Sequence, residues 1–132
     1  MGIYSEKAIE IFKSGCCCSQ SVVCAFADKL GDDAEQLKEI SVMYRGGKKI
    51  ICGAAMGARA VANYMHGIKD REDPAKDDPK TVEMTALIQQ RFREKIGDDR
   101  CREIKGNNLR SCAGCVEDAA AILEQLINEG KI

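Results

Sequence analysis

Tryptophan is absent from the chain, and three tyrosines and three phenylalanines hold the aromatic share to 5%. A core without large rings must be built from aliphatic side chains with alanine, methionine and cysteine, which suits packed helices better than a sheet of aromatic and β-branched residues. There are two prolines and one histidine. That histidine, His66, precedes Gly67 and reads as a helix end rather than a ligand or catalyst. A Cys–His hydrolase would depend wholly on it, and no motif supports one. Neither sign of charge predominates: 20 Lys and Arg against 21 Asp and Glu give a net charge of −1. Nothing in that balance points to nucleic acid. No apolar run is long enough to span a bilayer, and there is neither a P-loop nor a dinucleotide fingerprint. The opening MGIYSEKAIEIF contains Glu6 and Glu10 and lacks the sustained apolar stretch of a secretory leader. The expected compartment is a reducing cytoplasm.

What is present is a chain of 132 residues, 45% hydrophobic, enough for a single domain (1–132) with one core. Ser5 is a candidate cap for a first helix to about Ser14, stopped by Gly15. Ser19 is a candidate cap for a second, with Val22, Val23, Phe26 and Leu30 on its apolar face. Leu37, Ile40 and Tyr44 mark a third, ended by Gly46 and Gly47. A fourth runs through CGAAMGARAVANYMHG, where Gly53 and Gly57, four apart like Ala54 and Ala58, let a neighbouring backbone approach closely. The charge-dense stretch from Ile68 to Lys80 holds both prolines and reads as a solvated loop. A fifth helix carries Met84, Leu87, Ile88, Phe92 and Ile96. Asp99 is a candidate cap for a short turn with Cys101 and Ile104, and Ser111 for a last helix with an inward stripe of Cys112, Cys115, Val116, Ala119, Leu123 and Leu126. The strand-like Lys49–Cys52 is too short to found a sheet. The expected fold is all-α, a compact bundle of about five helices with short turns.

Eight cysteines, about 6% of the chain, fall below the level that implies a disulfide scaffold. In a reducing compartment, clustered cysteines more often mean metal binding or catalysis. Cys18, Cys52, Cys101 and Cys112 each fall in or beside the first turn of an expected helix. The partial positive charge there favours thiolate, the nucleophile and metal ligand of cysteine chemistry. The competing view is that cysteine is a small buried hydrophobe, which fits Cys24 within the second helix. Cys112-Ala113-Gly114-Cys115 has the spacing that lets one thiolate attack while its partner resolves the mixed disulfide, although the βαβ context usual for it is missing. The run Cys16-Cys17-Cys18 cannot point wholly into one core. Arg45, Lys48, Lys49, Arg59, Arg100, Arg102 and Arg110 lie near Cys52, Cys101 and Cys112 in sequence; taken singly, most read as solvated surface charges. The separations of 34, 49 and 11 residues between the four cysteines are not those of a zinc ribbon, but four scattered thiolates can still hold an iron–sulfur cluster or another soft metal.

The same residues carry a resemblance. Cys52-Gly53-Ala54-Ala55-Met56-Gly57 resembles the central motif of the redox-active family named for its C_GCAxxG_C_C pattern, here with Cys before Gly. Gly15-Cys16-Cys17-Cys18-Ser19-Gln20-Ser21-Val22 resembles its early G-x-N-C-x-Q-x-V element, with Cys17 where Asn is usual. Gly46-Gly47 resembles its glycine-rich stretch, though Tyr44-Arg45 departs from the common Phe-Gly. Cys101-Arg102-Glu103-Ile104 is similar to its Cys-Arg-Glu-Leu, and Cys112 with Val116-Glu117-Asp118-Ala119-Ala120 to its last element. The resemblance covers nearly the whole chain and implies that Cys18, Cys52, Cys101 and Cys112 are the family's four cysteines. It also implies a small bacterial or archaeal redox protein, with some relatives encoded near transporters. A related domain in split-Soret-type cytochromes sits beside a non-haem iron centre, which supports the cluster alternative. No substrate is implied.

Three readings follow. The first is thiol–disulfide exchange, as in a thiol–disulfide oxidoreductase, through Cys18, Cys52, Cys101, Cys112 and Cys115, with Cys112 attacking and Cys115 or Cys18 resolving. The second is an iron–sulfur or other thiolate-bound metal site held by Cys18, Cys52, Cys101 and Cys112. The third is a helical interaction protein whose cysteines only pack. The expected partner is a redox protein of unspecified kind, and the GxxxG-like helix is a candidate homodimer contact.

Overall fold

A computed structural model of the chain describes residues 2–44, 50–68 and 78–132. Within them run α1 (Ile3–Lys13), α2 (Cys18–Ala25), α3 (Ala27–Leu30), α4 (Ala34–Ser41), α5 (Gly53–Met65), α6 (Val82–Ile96), α7 (Cys101–Gly106) and α8 (Cys112–Asn128), with 3-10 turns at Gly31–Asp33 and Val42–Tyr44. The all-α class is as expected. The helix count is higher than about five, because α3 and α7 are short helices of four and six residues and because the expected second helix breaks at Phe26, whose φ of −102° and ψ of 23° leave the helical range. The Gly46-Gly47 break, the cations Arg45, Lys48 and Lys49, and most of the Ile68–Lys80 loop lie outside the described residues.

The centre of the bundle is α5, buried from Gly53 through Tyr64. Small side chains make this possible. A Cβ on Gly57 would lie 2.8 Å from the Ser19 carbonyl oxygen and 3.3 Å from both Ser19 Cα and Val22 Cβ, so α2 crosses α5 backbone to backbone. Around this contact α8 buries Val116, Ala119, Ala120, Ile122, Leu123 and Leu126, and α6 buries Ile88, Phe92 and Ile96. Tyr4 of α1 stacks on Phe26 with ring centroids 4.3 Å apart. One buried residue of α5 is a cation: Arg59, one of the seven read from the sequence, is only 9% exposed.

Three expected caps are corrected. Helix α1 starts at Ile3, so Ser5 lies inside it and its hydroxyl donates to the Gly2 carbonyl at 2.8 Å. Ser19 lies inside α2 and donates to the Ser41 carbonyl at 2.6 Å, tying α2 to α4. Asp99 does not cap α7; its carboxylate is buried, accepting from Gln89 Nε2 at 2.8 Å and Arg93 Nη1 at 2.9 Å. The neighbouring Asp98 accepts from the Arg100 N–H instead, at 2.8 Å. For Ser19 and Asp99 a partner on another helix takes the side chain that would cap, whereas Ser5 bonds within its own first turn because α1 begins two residues before it.

The fourth cap holds. Ser111 has an extended backbone, and its hydroxyl accepts from the Gly114 N–H at 3.0 Å. Ser111→Ala is expected to cost about 1 kcal/mol of unfolding free energy, read from urea denaturation, because it strands one donor of the first turn of α8. A change within about 0.2 kcal/mol would mean that water replaces the cap fully.

Candidate functional site

Two helix starts are joined by the strand-like segment that the sequence marks at Cys52. Ile51 and Arg100 form an isolated antiparallel bridge. The Cys52 N–H donates to the Asp99 carbonyl at 2.7 Å, and the Cys101 N–H donates to the Ile50 carbonyl at 3.0 Å. The bridge is too short for a sheet, as expected, but it sets the N-cap of α5 beside the first residue of α7. Asp99, held through its side chain by α6, is the anchor.

Helix α7 then turns the chain into α8. Its C-cap is Asn107, and Asn108 follows with φ of 53°, a left-handed conformation that asparagine tolerates better than other side chains bearing a Cβ. The Leu109 N–H closes the turn on the Ile104 carbonyl at 2.9 Å. Arg110 continues across the first turn of α8, lying against Gly114, where a Cβ would collide with its guanidinium. It pairs with buried Asp118 at 3.1 Å, to which Lys95 of α6 also reaches at 3.6 Å. Gly114 between the two cysteines of CAGC thus makes room for the arginine that seats α8.

The outcome is one cavity lined by Cys18, Cys52, Cys101, Cys112 and Cys115 together with Ile104, Lys105 and Arg110. All five cysteines singled out from the sequence are placed here. Cys18, Cys101 and Cys112 are the first residues of α2, α7 and α8, and Cys52 is the N-cap of α5. Cys115 lies one turn into α8 and is 3% exposed, Cys52 6%; Cys112 and Cys18 are half-buried at the rim. Room within the cavity for a water-sized group amounts to ≈ 20 Å³, about one water. Cys16 and Cys17 stand outside it, half-buried. Cys24 is not a core residue as expected. It is half-buried, facing Lys38, Cys16, Glu35 and Cys17, and burial raises its pKa despite the opposing pull of Lys38.

Within the cavity, Cys52 and Cys115 form a hydrogen-bonded pair whose acidities move in opposite directions. The Cys115 thiol donates to the Cys52 sulfur, and this is the largest cause of a Cys52 pKa lowered to about 7. The Ala54 and Ala55 backbone N–H groups, free at the start of α5, and the Lys105 ammonium lower it further, against the opposing effect of burial. Cys115 is pushed strongly up by the same hydrogen bond, by burial and by the negative charge of Cys52. Within the inner pair the negative charge is therefore favoured on Cys52 and the proton on Cys115.

Lys105 was missed among the cations read from the sequence. It faces Cys112, Cys101 and Cys18, and its ammonium is stabilised first by the charge of Cys112 and then by that of Cys101. The signal was available: Lys105 lies four residues after Cys101, on the same face of one helix. Of the cations that were read, Arg110 lines the cavity, whereas Arg100 turns back onto Asp98 at 2.9 Å.

The donor set can be compared with what a metal requires. Among the described residues, no group of three or more His, Cys, Asp or Glu side chains lies close enough together to hold a metal ion. A dithiol needs only two sulfurs in contact, whereas a cluster needs four converging ligands. The side chains as placed meet the first demand.

Helices that bring five thiols to one cavity from four helix starts define a cysteine-site protein of all-α class. The model of a family described as "Putative redox-active protein (C_GCAxxG_C_C)" matches residues 16–126, and the chain belongs to that family. No curated protein and no solved structure matches the chain. Among the described residues, no helix is long and apolar enough to cross a membrane.

Proposed function

We propose that this redox-active family member exchanges thiols for a disulfide through Cys52 and Cys115, with Cys112 as the contact to its redox partner. The observation that carries this reading is the buried, hydrogen-bonded Cys52–Cys115 pair, in which the Cys52 pKa is lowered and that of Cys115 raised. Cys115 has two neighbours of different reach: Cys52 inside the cavity, and Cys112 one helical turn away at the rim.

In the oxidising direction the Cys112 thiolate attacks a partner disulfide and releases the first partner thiolate. Cys115 attacks the Cys112 sulfur and gives up its proton, and the second partner thiol leaves. The Cys52 thiolate then attacks Cys115, and Cys112 departs as thiolate beside Lys105. One disulfide has formed in the protein and one has been reduced in the partner, with the two electrons supplied by Cys52 and Cys115. In this scheme Cys112 attacks and Cys115 resolves, as the sequence led us to expect. Cys52 becomes the terminal sulfur rather than an equal member of a set of four.

The test is anaerobic equilibration in thiol–disulfide buffers of graded potential, followed by peptide mapping. The expected product is a Cys52–Cys115 disulfide, with its formation from glutathione disulfide lost in Cys112→Ser. No disulfide across the series, or stoichiometric iron in anaerobically purified protein, would overturn the reading; the latter would favour a cluster on Cys18, Cys52, Cys101 and Cys112.

A further inference from the structure

The burial of Cys52 has a consequence for what can reach it. Its sulfur lies within a cavity that offers a water-sized group ≈ 20 Å³, and the residue is 6% exposed. A disulfide-bearing peptide or a bulky organic oxidant does not fit such a space. The space is about that of one water, and hydrogen peroxide, polar and of two heavy atoms, is the peroxide nearest to it in size. We infer that Cys52 is also oxidised directly, without passing through Cys112, by a hydroperoxide no larger than hydrogen peroxide itself. The inference builds on the dithiol reading above and adds a substrate class to the same site.

The Cys52 sulfur attacks one peroxide oxygen, the O–O bond breaks, and an S–O bond forms. The departing hydroxide takes up a proton from solvent to become water, leaving Cys52 as sulfenic acid. Cys115, already in contact with Cys52, attacks that sulfur, and its proton leaves with the hydroxyl as a second water. Peroxide has been reduced to two waters and the dithiol oxidised to one disulfide. A dithiol reductant acting through Cys112 regenerates the pair by the exchange sequence above, run in reverse.

Position supports this route as well as size. The Ala54 and Ala55 N–H groups at the start of α5 reach the Cys52 sulfur, so the positive end of the helix stands beside the atom at which the oxygen bonds. Lys105 at the rim offers a cation to the departing hydroxide. The resolving sulfur is 3% exposed, so the sulfenic acid meets Cys115 before it meets a second peroxide or a thiol from solution.

The experiment compares reduced wild type with Cys112→Ser. Each is treated anaerobically with hydrogen peroxide, cumene hydroperoxide or glutathione disulfide, and the Cys52–Cys115 disulfide is followed by rapid quench and peptide mapping. In Cys112→Ser, hydrogen peroxide is expected to keep its wild-type rate, while glutathione disulfide gives none of the product. Hydrogen peroxide should also outpace cumene hydroperoxide by about tenfold or more, a barrier difference near 1.4 kcal/mol. In Cys115→Ser the sulfenic acid should persist and be trapped on Cys52 by dimedone. If hydrogen peroxide forms the disulfide only when Cys112 is present, or if dimedone labels Cys112 first, the direct route is overturned while the exchange reading stands. If neither peroxide nor glutathione disulfide yields the product in wild type, both fall.

Discussion

Cys52→Ser is expected to abolish formation of the inner disulfide from any oxidant and to remove a thiolate that titrates at about 7. The loss is complete because serine can neither carry the charge nor form the bond. The more discriminating pair of variants lies at Cys115. Its hydrogen bond is the largest influence holding Cys52 down, ahead of the Ala54 and Ala55 N–H groups and Lys105. Cys115→Ala removes that donor and leaves burial to act against the weaker influences, so the Cys52 midpoint should rise to the ordinary thiol range. At pH 7 the thiolate population would then fall by about tenfold or more. Cys115→Ser keeps an O–H donor, and the midpoint should stay near 7. The sign follows from the lowered value: thiolate increases as pH rises through the midpoint, so the variant needs a higher pH for the same population. The measurement is ultraviolet thiolate absorbance against pH, taken as a difference from Cys52→Ser, which needs no reagent to enter the cavity. Equal midpoints in the alanine and serine variants would remove the hydrogen bond as the cause.

Gly57→Ala is expected to destabilise the fold by about 1–3 kcal/mol, the usual cost of overfilling a packed contact, although alanine is the better helix former by up to about 1 kcal/mol. The decisive quantity is the 2.8 Å separation between the added Cβ and the Ser19 carbonyl oxygen. That oxygen is backbone and cannot swing aside as a long side chain could. Gly57→Val should cost more, since branching at Cβ adds atoms on the same crowded side. Gly106, at the end of α7, has nothing within 4 Å of its added Cβ, so Gly106→Ala should be neutral or mildly stabilising. The urea midpoint should therefore fall for Gly57→Ala and stay level or rise slightly for Gly106→Ala. A stable Gly57→Ala protein would mean that α2 is free to move away from α5. A stable variant with altered Cys52 titration would locate that movement at the cavity, because α2 also carries Cys18.

How much of this was legible beforehand follows residue by residue. The Ser111 cap, the left-handed Gly15 and Gly97 that follow α1 and α6, and the close approach at Gly57 were all readable, because each depends on local backbone chemistry or on the size of a single side chain. The caps at Ser19 and Asp99 were misread because a hydroxyl or carboxylate with a tertiary partner has no need of the local one, and the cap at Ser5 because α1 begins at Ile3, ahead of it. Phe26 broke the second helix although its side chain belongs to the expected apolar face and is fully buried, stacked on Tyr4; nothing local in the sequence marks that break. Lys105 was overlooked although its spacing from Cys101 announced it, while Arg59, in a group of cations of which most read as surface charges, is buried in the central helix.

The five cysteines of the cavity were recognisable because glycine breaks and the onset of each apolar pattern put four of them at helix starts, even where the cap itself was misread, and CxxC spacing fixed the distance of the fifth from Cys112. Fold class followed from composition: with few rings and many small aliphatics, helices are the elements that pack. Which sulfur meets which was decided only in three dimensions. Cys52 and Cys115 are 63 positions apart, and their contact depends on the Ile51–Arg100 bridge, on Asp99 anchored to α6, and on Arg110 seating α8 across Gly114. Local sequence can place a thiol at a helix N-terminus. The pairing of two such thiols, and hence which one carries the charge, depends on the packing of the helices that bear them.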